Sequence, residues 1–396
     1  MSELAPEHLV AEAIGPPLTP LEVTGAIGVG VNGLLIVGLF PSLMGALADE
    51  HRLTASGIGL AVTVELLAMA LTTGFAGVAL KPARLKLIGV LASLGLAVFD
   101  AATMRASGVG VLAMRGGAGV CEGLMLWITV GMIARTVTPE RWAAVYITIQ
   151  TVAQLLLSVA YGAFVIGRFG ANGGFACLAI CSLASLPLAM LTPSRYAPLV
   201  ADHEAAGFPP LRGWIALLAT LAFVSATGAV SIYLEPFALQ AGLSPGVART
   251  AVSASLAAQV VGGGAATAMA GRVRYFHVFV VGTALTFAAW VCFTLHIPAL
   301  VFIAANALAG IVGLFVGPFF VPMTIEADPS RRAAVQTGPA QILGGALGPL
   351  MASVLVSDRD SHPVILLGGA LLLAGLAVIA WLHFTSRHEP VRSSYS

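Results

Sequence analysis

The sequence predicts an all-α integral membrane protein of about twelve spanning helices, arranged as two similar six-helix bundles. Three observations predict this. Of 396 residues, 58% are hydrophobic and only 9% charged, with a mean hydropathy of +0.95. Soluble domains carry about 25% charged residues, so this composition cannot clothe a surface in water. A spanning helix needs about 20 apolar residues, and some twelve runs reach that length. The chain also repeats itself at an offset of 190 residues.

The apolar runs lie near 21–46, 56–80, 86–104, 109–134, 142–166, 173–192, 213–239, 248–270, 277–296, 298–324, 333–356 and 364–384. The connections are short and hold most of the charge, among them ADEHRLTAS, KPARLK, RTVTPER, RFGANG and EADPSRR. The longest, TPSRYAPLVADHEAAGFPPLRG, follows the sixth run and splits the chain in half. The expected organisation is a tail at 1–20, a first bundle at 21–192, a linker at 193–212, a second bundle at 213–384 and a tail at 385–396. The first tail contains Glu3, Glu7 and Glu12 but no Lys or Arg, so no cleaved signal peptide is expected.

Lys and Arg counts set the orientation. With both tails inside, thirteen basic residues fall in inside segments, including Lys81, Arg84, Arg135 and Arg331, against five outside, including Arg52 and Arg105. The protein is therefore expected in the plasma (inner) membrane with cytoplasmic termini.

The repeat is specific. An offset of 190 places Pro139-x-Arg141-x-Ala143-Ala144-Val145 on Pro329-x-Arg331-x-Ala333-Ala334-Val335. The same offset aligns Gly74 with Gly264, Arg84 with Arg274 and Gly123 with Gly313. Two copies in the same orientation imply a pseudo-twofold axis along the membrane normal.

With its two six-helix halves, mid-chain linker and fourth-span run Arg115-Gly116-Gly117-Ala118-Gly119, the chain resembles the major facilitator superfamily of secondary transporters. The resemblance implies a monomer working by alternating access, with a cavity lined by spans one, four, seven and ten. Its signature loop, roughly G-x-x-x-D-R-x-G-R-K, is poorly met by Gly77-Val-Ala-Leu-Lys81-Pro-Ala-Arg84-Leu-Lys86. Lys81 stands where the family has an aspartate that helps latch one conformation, so a different latch is expected here. The fifth-span antiporter motif is absent from SVAYGAFVIG, and a similar GALGP appears at Gly345–Pro349. This weighs against drug–proton antiport without removing it as an alternative.

The fourth span carries Arg115 and Glu122, seven residues apart. That is nearly two turns, so both side chains share a face about 10 Å apart along the axis. A charge at mid-bilayer costs roughly 2.5–3.5 kcal/mol on insertion scales, so such residues face the bundle interior or water. Two readings of Arg115 stay open: it lines the cavity, holding an anionic solute group or tuning an acid, or it locks helices by pairing with a carboxylate. Burial favours a neutral carboxyl and a nearby guanidinium favours a charged one, so relative motion would load or release a proton. Glu122 is the first candidate proton carrier and Glu65 in AVTVELLAMA the second, with Asp100 in AVFDAATM as a further acid or a partner of Arg115. The offset carries these four to Ser255, Trp290, Ala305 and Val312, so the second half lacks the charges. The first half is expected to handle protons and the second to shape the solute cavity.

On the fifth span Tyr146, Gln150, Gln154 and Tyr161 fall within roughly an 80° arc. Such a stripe points away from lipid, toward solute or toward a neighbouring helix. Asn32, Tyr233, Glu235 and Asn306 are further candidate solute contacts.

Other classes find little support. Gly28-x-Gly30-x-x-Gly33 matches a dinucleotide fingerprint, but it lies inside a spanning helix with no strand before it. The eight histidines fall at span ends, loops or tails without ligand spacing, so no metal, cofactor or enzymatic activity is expected. A balanced charge without basic blocks argues against nucleic acid as a partner. The expected partners are a small organic solute, possibly an organic anion, together with protons and the lipid bilayer.

Overall fold

The computed structural model describes residues 17–197, 208–353, 355 and 362–386. The greater part of both predicted tails and the middle of the linker lie outside the described residues. The first half comprises α1 (Pro20–Gly33), α2 (Phe40–Asp49), α3 (Ala55–Ala79), α4 (Leu85–Thr103), α5 (Val109–Ile133), α6 (Pro139–Ala160), α7 (Ile166–Ala184) and α8 (Leu186–Leu191). The second comprises α9 (Leu211–Ile232), α10 (Leu234–Gln240), α11 (Pro245–Met269), α12 (Tyr275–Phe293), α13 (Ala299–Val316), α14 (Phe320–Ala327), α15 (Arg332–Ser353) and α16 (His362–Ser386). Among the described residues the only extended pairing is an isolated bridge between Ala83 and Arg195.

Among the described residues, ten helical stretches are long and apolar enough to cross a membrane. Two of the twelve predicted runs take another form. The first is interrupted by a 3-10 turn at Leu35–Gly38 between α1 and α2. The eleventh, α15, carries Pro339 and Pro349 within its length. The repeat seen in the sequence reappears as geometry: α3 and α11 begin and end 190 residues apart, as do α4 and α12.

Local chemistry explains the element ends. Thr19 caps α1, exchanging hydrogen bonds with Glu22 in a capping box, and Pro20 opens the first turn. Thr54 Oγ1 accepts from Gly57 N at 3.1 Å at the start of α3. Between α6 and α7 the backbone runs through a π turn at Tyr161–Val165, and Gly170 leaves helical space at φ 61° and ψ −158°. Tyr161 donates to Gly174 O at 2.7 Å. In one continuous helix those residues would stand about 20 Å apart along the axis, so the chain folds back at Gly170.

Helices within each half approach to backbone contact at glycines. A Cβ on Gly119 of α5 would collide with Glu65 O of α3. In the second half a Cβ on Gly310 of α13 would lie 2.6 Å from Ser255 O of α11, and Ser255 is the repeat counterpart of Glu65. Small residues allow such contacts where lipid supplies no hydrophobic drive between helices. Across the halves, α3 packs on α15 and α6 on α11. Large apolar side chains such as Leu71, Phe75, Val98, Leu366 and Leu373 face outward, as a multi-pass membrane protein requires.

Candidate functional site

Arg115 lies at the meeting of α3, α4 and α5. Its Nη2 donates to Asp100 Oδ1 at 2.8 Å and its Nη1 stands 3.2 Å from Glu65 Oε1. The guanidinium lies over the Phe175 ring of α7, 5.1 Å from its centroid, a cation–π contact. The Gly119 contact one turn along α5 brings Glu65 within reach of Arg115. All four ionisable groups, Glu122 included, are at most 2% exposed. Among the described residues both Glu65 oxygens, Glu122 Oε2, Arg115 Nε and Arg115 Nη1 lack a well-aligned hydrogen-bond partner. One guanidinium thus sits among three carboxyl groups. Buried charge persists only when neutralised. Arg115 is paired with Asp100 and Glu65, so one cation serves more than one carboxyl group.

A cavity of about 550 Å³ opens between the halves. Residues related by the repeat line it together: Leu34 with Val224, Val37 with Thr227 and Leu126 with Val316. The cavity therefore straddles the pseudo-twofold axis. Its wall is mostly apolar, with Phe223, Trp290, Phe293 and Phe320, and its polar lining includes Tyr146, Gln150, Gln259, Asn306 and Gln341.

The four ionisable residues are not among those lining the cavity. Leu66, next to Glu65, and Leu126, one turn from Glu122, are on its wall. Arg115 lies eleven residues before Leu126, about 16 Å along α5 and on nearly the same side. The charge cluster thus continues the line of the cavity beyond its apolar wall, with Glu122 the member of α5 nearest the solute space. The sequence expectation that Arg115 borders the cavity differs from this placement, because depth along the helix rather than helix face separates them.

The other expected solute contacts divide. Tyr146, Gln150 and Asn306 line the cavity. Gln154 instead donates to Leu34 O at 2.6 Å, reinforcing a carbonyl that otherwise holds only a 3.3 Å bond from Val37 N where α1 ends. Asn32 reaches Ser182 Oγ at 3.5 Å, and Tyr161 is engaged with Gly174. Tyr233 forms the end of α9 away from the cavity lining, and the side chain of Glu235 lies outside the described residues. Gln259, Gln341 and Trp290 are lining residues the sequence reading passed over. Uncharged amides in glycine-rich helices were the available signal.

At the end of the bundle holding residues 134–138 and 328–331, the halves are tied together. Arg331, at φ 62°, donates from Nη1 to Ala134 O and Thr136 O, both at 2.9 Å. Gln336 Nε2 donates to Gly74 O at 3.0 Å. A cation on the terminal carbonyls of α5 also complements the helix dipole. Burial lowers the Arg331 guanidinium from its ordinary value, an effect partly offset by Glu140. The neighbouring Arg135 stacks at 5.3 Å on Tyr196, and burial brings it down to about 10, still a cation at neutral pH. Arg331→Ala is expected to free this closure. Hydrogen bonds from charged groups contribute about 1.5–3 kcal/mol each, so amide exchange near residues 130–139 and 332–339 should quicken by about tenfold or more. Unchanged exchange there, read by mass spectrometry, would show that Arg331 does not hold the halves together.

No protein-family model and no curated protein matches the chain. Solved structures do. The chain is similar to the major facilitator superfamily transporter FucP in the outward conformation at a TM-score of 0.71 and 13% identity, covering 91% of this chain and 97% of that one. It is similar to the human organic anion transporter MFSD10 (TETRAN) at a TM-score of 0.66 and 14% identity, covering 93% and 100%. A substituted form of the E. coli fucose:proton symporter FucP aligns at a TM-score of 0.70 and 14% identity, covering 92% and 97%. The fold is that of the major facilitator superfamily transporters.

Proposed function

We propose that this chain is a secondary active transporter of a small organic solute, working by alternating access and coupled to protons. One observation carries the reading: a solute-sized cavity on the pseudo-twofold axis, with three buried carboxyl groups beyond its wall, two of them paired with a single guanidinium. Rocking of the two halves would open the cavity to each side in turn. The same movement would wet the Glu122–Glu65 end of the cluster and change its distance from Arg115, so a proton is taken up on one side and released on the other. Glu122 is the proposed carrier, Glu65 its coupled acid, and Asp100 the partner that holds Arg115. Tyr146, Gln150 and Asn306 are the proposed solute contacts.

The Lys and Arg bias supports cytoplasmic termini in the plasma membrane, which puts the Arg331 closure on the cytoplasmic side. Among the structural neighbours, one is a fucose:proton symporter, which favours symport, and one is an organic anion transporter. The apolar wall with Trp290 and Phe293 favours proton-antiport efflux of amphipathic compounds as the second reading. A catalytic role has no support from neighbours that are transporters.

Reconstitution into liposomes tests this. A solute that stabilises the purified protein should exchange across the membrane in counterflow, and an imposed pH step should drive it uphill. Absent counterflow would refute transport. Uptake indifferent to a protonophore would refute proton coupling.

A further inference from the structure

Resting on the transport reading, we infer that the solute is an uncharged molecule presenting several hydrogen-bond donors, hydroxyl or amide N–H, on one side and an apolar face on the other. The first support is charge. No Asp, Glu, Lys, Arg or His lines the central cavity among the described residues. Beyond the wall, Arg115 is already committed to Asp100 and Glu65. An ionic solute group would leave water for a mostly apolar chamber without a counter-charge, which is strongly unfavourable.

The second support is the hydrogen-bonding inventory. The cavity presents four carboxamides, drawn from both halves: Gln150, Gln259, Asn306 and Gln341. Asn306 gives one of its two Nδ2 hydrogens to Ala251 O at 2.8 Å, and one Nε2 hydrogen of Gln341 faces Gly317 O at 3.5 Å, leaving one N–H on each. Their side-chain carbonyl oxygens remain as acceptors. Ser231, Thr227 and Tyr146, also on the wall, donate their hydroxyl protons to Gly228 O, to Phe223 and Val224 O, and to Gly30 O. These oxygens too are left to accept. Ser255 and Thr286 add two more hydroxyls. Each of these oxygens carries two lone pairs, so the wall has more accepting than donating positions to offer. Among the described residues Gln150 and Gln259 are the wall amides with no hydrogen bond to the protein.

The third support is shape. Trp290 and Phe293 from α12, with Phe223 and Phe320, supply broad apolar surface. A flat or ring-shaped apolar face suits these walls, and polar edges suit the amides.

Matched probes of one skeleton and three charges test this: glucitol, gluconate and glucamine, and beside them benzyl alcohol, benzoate and benzylamine. Melting temperatures of the purified full chain are followed against each. The expected result is stabilisation by a neutral member at concentrations at least tenfold below its charged counterparts. In Gln150→Leu and, separately, Gln259→Leu, that concentration should rise about tenfold while the unliganded melting temperature holds. Should one variant fail to fold, the other carries the comparison. A charged member outranking its neutral counterpart, or a panel without a neutral hit, overturns the assignment. Counterflow of the neutral hit in liposomes separates the two readings: binding without counterflow keeps the neutral-solute assignment and refutes transport.

Discussion

Arg115→Met is expected to destabilise the protein by about 3–5 kcal/mol, the usual consequence of removing one partner from a buried ion pair. The guanidinium is fully buried and, among the described residues, is the only cation paired with Glu65 and Asp100, so its removal strands carboxyl groups rather than merely deleting a contact. The loss should depend on pH with a definite sign. Stranded carboxyls relieve themselves by binding protons, so the deficit should be largest in alkaline detergent solution and shrink as the pH falls. Arg115→Lys keeps the charge but cannot span Asp100 and Glu65 with a planar fork, so it should fall between wild type and Arg115→Met. Thermal unfolding of the three proteins at two pH values measures this. A pH-independent deficit would mean that the carboxyl groups do not exchange protons with solvent.

Glu122→Gln should uncouple transport from protons while leaving exchange intact. The substitution preserves shape and removes a titrating group. With one proton moved per solute, each unit of imposed pH difference is worth about 1.4 kcal/mol, or tenfold accumulation. Wild-type liposomes at one unit should therefore concentrate solute about tenfold, and Glu122→Gln should fall to about equal concentrations on both sides. Counterflow rates should stay within a few-fold of wild type. Symport accumulates solute on the alkaline side and antiport on the acidic side, so the same measurement decides between the two modes. Glu65→Gln should weaken coupling and stability together, because Glu65 also faces Arg115 at 3.2 Å. Proton-driven accumulation surviving both substitutions would remove these acids from the coupling path.

The charge cluster shows why such sites are only half legible in a sequence. Arg115 and Glu122 sit on one helix, and their shared face follows from the turn length alone. Asp100 and Glu65 stand on α4 and α3, and nothing in their spacing brings them to Arg115. Gly119 does so for Glu65, by letting α5 touch the α3 backbone there, and Gly117, set against the Phe99 ring, lets α4 come close beside Asp100. The amide stripe on α6 divides for a similar reason. Gln150 faces open space, while Gln154, one turn along, is claimed by the carbonyl of Leu34 where α1 gives way to a 3-10 turn. A broken helix in lipid must find donors for its freed carbonyls, and the break itself carries no plain sequence mark.

The sequence by itself determined the membrane character, the doubled architecture and the register of the repeat, because apolar run length and duplicated loop chemistry are local properties that survive in one dimension. The ends of α3 and α11, and of α4 and α12, fall at the same offset that Pro139 and Pro329 announced. Tertiary structure alone decided how far the cavity runs along α5, which polar groups remain free to meet a solute, and that Arg331 bridges the halves onto Ala134 O and Thr136 O. Those outcomes depend on how closely helices remote in sequence can approach, and on which backbone groups are left unsatisfied when they do.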